Sequence, residues 1–174
     1  MNATRVLVAQ HQAIDALLDE VEHETRRHAR ARAVSRAAEE LIAHMAGEEA
    51  VFYPAARRVM RLEDAEDEHL RLRVVLRRVL ATRVSDAAFV EHLRALRDLF
   101  RQHVRVEESE LLPAVERALS PVELEMLGAE VLASRPPIWI VTSEGAALMH
   151  ADDPFLARTR VSLPIPPATG STGE

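Results

Sequence analysis

The chain has 174 residues, a formal net charge of −6 and no cysteine, so disulfides, thiolate metal sites and nucleophilic thiols are excluded. Its length suits one domain with a sizeable core plus an appendage, and its mild acidity gives no electrostatic footprint for nucleic acid. Aromatic residues make up only 3% and glycines number five, while Ala, Leu, Arg and Glu dominate, a composition that favours an all-helical protein.

No apolar run approaches the roughly 18 to 20 residues needed to cross a bilayer. Met1 to Gln10 lacks the charged, apolar and cleavage regions of a signal peptide. A cytoplasmic protein without membrane or nucleic-acid partners is expected. Arginines cluster at Arg26, Arg27, Arg30 and Arg32, and again at Arg71, Arg73, Arg77 and Arg78. Acids such as Glu20, Glu22, Glu24, Glu66, Asp67 and Glu68 lie nearby, and mixed signs of this kind read as solvated helix faces.

In chain order, the first segment carries Leu7, His11, Ile14, Leu18 and Val21 in steps of four and three, the spacing of one helix face. A turn is expected near Arg26 to Ala31, with no glycine or proline to mark it. The second segment carries Ala37, Leu41, His44, Glu48 and Val51, and ends at a turn or kink between Pro54 and Arg61. The third carries His69, Leu72, Leu76 and Val79. The fourth, opened by Ser85-Asp86 as a cap, carries Phe89, Leu93, Leu96, Phe100, His103, Glu107 and Leu111. A short fifth helix is predicted from Ser120-Pro121 to about Ser134.

Beyond Arg135 the apolar run Ile138-Trp139-Ile140-Val141 leads into a Pro-, Gly-, Ser- and Thr-rich end. Three regions follow: a four-helix bundle over 1–119, a helix and extension over 120–163 that packs on the bundle or on a partner subunit, and a disordered tail over 164–174.

Histidines stand on the core-facing stripe of all four long segments, joined in two of them by a glutamate. His44-x3-Glu48-Glu49 is followed by Phe52-Tyr53-Pro54-Ala55, and His103-x3-Glu107-Glu108 by Leu111-Leu112-Pro113-Ala114. The two stretches are offset by 59 residues, and His11 and His69 by 58. The chain reads as one helix pair written twice. The midpoints of His11/His44, His44/His69 and His69/His103 fall at or near the three turns, so in an up-down-up-down bundle all four imidazoles meet in one layer. His and Glu four apart share a helix face and can reach one ion together.

Four imidazoles and two carboxylates buried together call for cations. The thiolate-free mixture suits iron or manganese, with zinc a further option, and bundle cores are known places for di-metal sites. His23, His28, His92 and His150 have no partner in the repeat and read as incidental. Glu20-x-x-His23 and Glu66-x-x-His69 match the E-x-x-H of ferritin-like bundles, but lie out of register with one another.

The set His11, His44-x3-Glu48, His69 and His103-x3-Glu107 resembles the hemerythrin-like, or HHE cation-binding, domain family over about residues 4 to 118. The resemblance implies a four-helix bundle around two non-haem iron ions with oxo and carboxylate bridges. His11, His44, His69 and His103 would be terminal ligands, and Glu48 and Glu107 bridging ones. Oxygen-carrying members place a further histidine four residues after the third-helix ligand; Arg73 stands there. Their fourth helix reads H-x4-D, whereas this chain offers Glu107 at four and Glu108 at five. Four nitrogen ligands instead of five imply a more open centre, suited to hydrogen peroxide, dioxygen or nitric oxide rather than to oxygen carriage.

Tyr53 is a candidate additional ligand, since some bacterial hemerythrin-like proteins use a tyrosine near this position. Ideal α-helical geometry turns it about half a turn from His44, and only a kink before Pro54 would bring it in. Glu49 and Glu108 are candidate supporting acids, each about 100° around the helix from its liganding neighbour. Catalase-like peroxide disproportionation is the leading functional expectation. Sensing of iron, oxygen or nitric oxide, or repair of iron centres, are the alternatives, in a monomer or homodimer.

Overall fold

A computed structural model describes residues 1–62, 65–134, 141–142 and 145–146. Among these, five helices form the expected all-α bundle, four long and one short. Helix α1 spans Ala3–His23, with the Asn2 side chain capping it by accepting from the Arg5 N–H at 3.0 Å. Helix α2 spans Arg27–Gly47 and passes without a break into a π-helical turn, Glu48–Phe52, and a last turn, Tyr53–Ala56. Helix α3 spans Ala65–Ala81. Helix α4 spans Ala87–Val106 and repeats the pattern, with a π-turn at Glu107–Leu111 and a close at Leu112–Ala118. Asp86 sits at the N-cap position of α4, but its side chain makes no capping bond. Helix α5, Pro121–Ala133, opens with a reciprocal Ser120/Glu123 capping box.

The two π-turns have one local cause. Pro54 and Pro113 lack an N–H, and a proline ring clashes with the carbonyl four residues before it, here Ala50 and Ser109. The clash is relieved when the preceding turn widens to bonds spanning five residues. The Tyr53 N–H accordingly donates to the Glu48 carbonyl, and the Leu112 N–H to that of Glu107. Each π-turn therefore begins on the glutamate of an H-x3-E.

The predicted stripes face the core. Ile14, Leu18, Leu41, Leu72, Leu76, Leu93, Leu96 and Phe100 pack in one apolar cluster. A second cluster holds Leu7, Phe52, Tyr53, Leu111, Leu112 and Val115 together with Leu124, Leu127 and Val131 of α5. Helix α5 closes this end by lying across α1. The approach is tight at Gly128, where a Cβ would stand 2.4 Å from the Met1 carbonyl oxygen. A two-residue antiparallel ladder, Val141–Thr142 with Gly145–Ala146, lies beside α2 and α3. The rest of the expected 135–163 extension and the 164–174 tail lie outside the described residues. No helix among those described is long and apolar enough to cross a membrane.

Candidate metal centre

Between the two apolar clusters lies the polar layer. His11 from α1, His44 from α2, His69 from α3 and His103 from α4 are all buried, and so are Glu48 and Glu107 at the starts of the two π-turns. The Glu48 Oε2 lies 3.3 Å from the His44 Nε2, 3.2 Å from the His69 Nε2 and 3.7 Å from the His103 Nε2. The Glu107 Oε2 lies 3.3 Å from the His11 Nε2 and 3.6 Å from the His103 Nε2. Donor atoms from His11, His44, Glu48, His103 and Glu107 all fall within 4.8 Å of one another, a group that could hold a metal ion. His69 joins this group at its edge, through Glu48.

The imidazoles fall into two pairs. Ring centroids are 4.8 Å apart for His11 and His44, and 5.0 Å for His69 and His103, against 6.0 to 6.2 Å for His103 with His44 and His11. Each pair comes from one helical hairpin.

Behind the layer, each Nδ1 faces an oxygen acceptor. His11 donates to Glu108 at 2.9 Å and His69 to Glu49 at 2.7 Å. His44 donates to the Gln10 side-chain carbonyl at 3.0 Å and His103 to Glu68 at 3.4 Å. All four rings are thereby oriented with Nε2 inward, the arrangement by which outer partners fix imidazole ligands. The pattern is twofold: Gln10 and Glu68 immediately precede the lone histidines and hold the other histidine of their own hairpin, whereas Glu49 and Glu108 reach across to the opposite hairpin.

The sequence pattern places Glu68 on a solvated acidic face, whereas its carboxylate supports a buried ring. It likewise places Arg73 among surface charges, whereas the Arg73 guanidinium donates to the Glu49 Oε2 at 2.8 Å. Where oxygen carriers have a fifth histidine, this chain thus has an arginine that anchors the acid behind His69. Of the incidental histidines, His23 is exposed and its Nδ1 donates to the Asp19 carbonyl, while the His92 Nδ1 lies 3.1 Å from the Thr82 hydroxyl. His28 is exposed, and His150 lies outside the described residues.

Tyr53 departs most from ideal helix geometry. A π-turn absorbs one additional residue, so every later position is set back by about 100°. Tyr53 thereby moves from about half a turn to about a quarter turn from His44, and its side chain enters the layer. Its hydroxyl donates to the Glu107 Oε1 at 2.9 Å and lies 3.0 Å from the His69 Nε2, with the ring stacked on that imidazole. Burial and the Glu48 and Glu107 charges push the phenol well above its ordinary value.

Burial and the mutual charges of the layer move its groups apart in protonation. Burial and the Glu107 charge push Glu48 up to about 8. Burial also opposes ionisation of Glu107, but the His11 imidazole 3.3 Å away and the His103 charge overcome it and hold that carboxyl well below its ordinary value. Burial and the neighbouring His11 charge hold His44 well below the usual imidazole range. His11 and His69 are also disfavoured as cations by burial, yet their carboxylate partners raise them above it. Six inward atoms have no hydrogen-bond partner: Nε2 of His11, His44 and His103, both oxygens of Glu48, and the Glu107 Oε2. Each orphaned buried polar atom costs about 1 to 3 kcal/mol. All six converge on one another, as ligand atoms around cations would, so the donor set fits a metal centre.

Comparison with known proteins agrees with this arrangement. The hemerythrin HHE cation binding domain model matches residues 2–115. A hemerythrin HHE cation binding domain-containing protein from Mycobacterium kansasii superposes with a TM-score of 0.69 at 26% identity, over 76% of this chain and 84% of that one. A DNA nickase from a Nostoc species is 28% identical over 141 residues, 79% of this chain, which spans only 40% of that protein's length. The matching model, the bundle and the inward ring of histidines and glutamates converge: the chain belongs to the hemerythrin HHE cation-binding family.

Proposed function

We propose that the protein holds two non-haem iron ions and reacts with hydrogen peroxide, dioxygen or nitric oxide, with catalase-like disproportionation of peroxide as its leading activity. In this reading His11 and His44 would hold one ion, His69 and His103 the other, and Glu48 and Glu107 would supply carboxylate ligands to both. The observation that carries it is the convergence of six unpartnered, buried atoms of His11, His44, His103, Glu48 and Glu107 on one small volume, with His69 at its edge beside Glu48.

A bound di-iron pair would supply open coordination positions and the capacity to exchange two electrons with one small oxidant. The chain's residues supply the remainder. Gln10, Glu49, Glu68 and Glu108 keep the four Nε2 atoms aimed inward, and the two apolar clusters exclude bulk water from above and below. The Tyr53 hydroxyl, between Glu107 and His69, stands where it can donate a proton to the centre or serve as a further oxygen ligand. Arg73, seated on Glu49 in place of a fifth nitrogen donor, keeps the centre rich in oxygen.

The test is the metal content and near-ultraviolet spectrum of the purified protein, followed by oxygen release on adding hydrogen peroxide. Two irons per chain with sustained oxygen evolution are expected. Two irons without turnover would move the function to sensing or iron-centre repair. No metal after anaerobic iron loading would remove the di-iron centre itself.

A further inference from the structure

The two halves of the polar layer differ at the corner beyond each H-x3-E. In the first copy of the repeat Tyr53 fills it, and its hydroxyl satisfies the Glu107 Oε1. In the second copy Leu112 holds the corresponding position, buried but with nothing to donate. The counterpart atom, the Glu48 Oε1, is fully buried and without a partner. One corner is thus polar and filled, the other apolar and unsatisfied.

Leu112 also borders a surface cleft. A cleft of about 360 Å³ opens between α1 and the end of α4, and Leu112 and Glu108 line it together with Thr4, Val8, Pro113 and Glu116. Two of its residues neighbour His11: Val8 lies one turn before that histidine, and Glu108 holds its Nδ1 at 2.9 Å. At the rim, the buried Thr4 hydroxyl donates to the Glu116 carboxylate at 2.5 Å and ties α1 to the last turn of α4.

We propose that this cleft is the entry for small molecules to the metal centre, with Leu112 as the inner barrier and the Thr4–Glu116 bond as the outer latch. The inference rests on the di-iron reading above. The barrier is aliphatic, which selects for small uncharged molecules such as diatomic gases and hydrogen peroxide, while the cleft itself carries both signs of charge, the acids Glu108 and Glu116 and the base Arg5.

The test is the rate at which nitric oxide binds the iron-loaded, anaerobically reduced full chain, followed by the change in visible absorbance. Leu112→Ala should raise the rate, and Leu112→Phe should lower it by about tenfold, the effect of roughly one decade on a gating step. Thr4→Val, which removes the latch at nearly constant volume, should raise it without changing iron content. Met126→Ala, on the exposed outer face of α5, should leave it unchanged. Two irons per chain with one unaltered rate across all Leu112 and Thr4 variants would overturn the portal and leave the di-iron reading standing. Failure of the unmodified chain to load iron would overturn both. Should Leu112→Phe lose its iron, Thr4→Val and Glu116→Ala, outside the polar layer, decide the matter.

Discussion

Glu48→Gln should act in opposite directions on the metal-free and metal-loaded protein. Without metal, burial and the Glu107 charge keep the Glu48 carboxyl at about 8, against 4.5 for a free glutamate. At pH 7 the folded protein must therefore hold a proton that the unfolded chain has released. Two and a half pH units separate 4.5 from 7, and at about 1.4 kcal/mol each the cost is about 3 to 4 kcal/mol. Glutamine has the same shape and no proton to acquire. The variant should thus be about 3 to 4 kcal/mol more stable than the parent at pH 7 in the presence of a chelator, a rise of about 10 °C in melting temperature.

The sign fixes a pH course as well. Between 4.5 and 8 the folded state binds more protons at Glu48 than the unfolded state, so this residue's contribution to metal-free stability falls as pH rises. The gap between parent and variant should accordingly be near zero at pH 4.5 and widen up to pH 8. With iron present the order reverses, because an amide is a poor bridging ligand and the variant should retain fewer than two irons. Thermal melts followed by circular dichroism at several pH values, with chelator and with ferrous iron, measure both arms. Equal metal-free melting temperatures at pH 7, or a gap that narrows as pH rises, would refute the reasoning.

Other outcomes follow from the same geometry. His44→Ala and Glu107→Ala should each bring iron well below two per chain by elemental analysis, whereas His92→Ala, whose ring meets Thr82 away from the layer, should leave it unchanged. Iron loading at pH 7 should release protons, since burial and the Glu107 charge raise the Glu48 carboxyl, and Glu48→Gln should lower the release recorded with a pH indicator. Tyr53→Phe should destabilise the metal-free protein by about 1.5 to 3 kcal/mol in a urea melt, the worth of a buried hydrogen bond to a carboxylate. Gly128→Ala should cost about 1 to 3 kcal/mol by overpacking, because its Cβ would meet backbone atoms of Met1, Asn2 and Ala3 at 2.4 to 2.9 Å.

The bundle was legible because its histidines break an otherwise apolar stripe at helical spacing, and because the turn midpoints set His11, His44, His69 and His103 at one height. Both signals are periodic, and both assume 3.6 residues per turn. Tyr53 was legible only in part for the same reason: the π-turn adds a residue the period does not count. Its signature was nevertheless present in Pro54 and Pro113, six residues after Glu48 and Glu107. Gln10 and Glu68 were missed because each adjoins a histidine in sequence, and neighbours on a helix point about 100° apart. Their targets lie on adjacent helices, and only the crossing of α1 with α2 and of α3 with α4 brings them into reach. Arg73 was missed because a charge at the edge of a helix stripe has the same pattern whether it meets water or Glu49.

The exchange of supporting acids between the hairpins bears on how such a chain could arise. A half-length ancestor with one lone histidine, one H-x3-E and one following glutamate would have had no acid for its own lone imidazole, since Glu49 serves His69 and Glu108 serves His11. Two copies side by side would have supplied each other. A symmetric dimer of hairpins would therefore have come first, and fusion of the gene to itself second. Once joined, such copies would be free to differ, as Tyr53 and Leu112 do, which a dimer of identical halves could not.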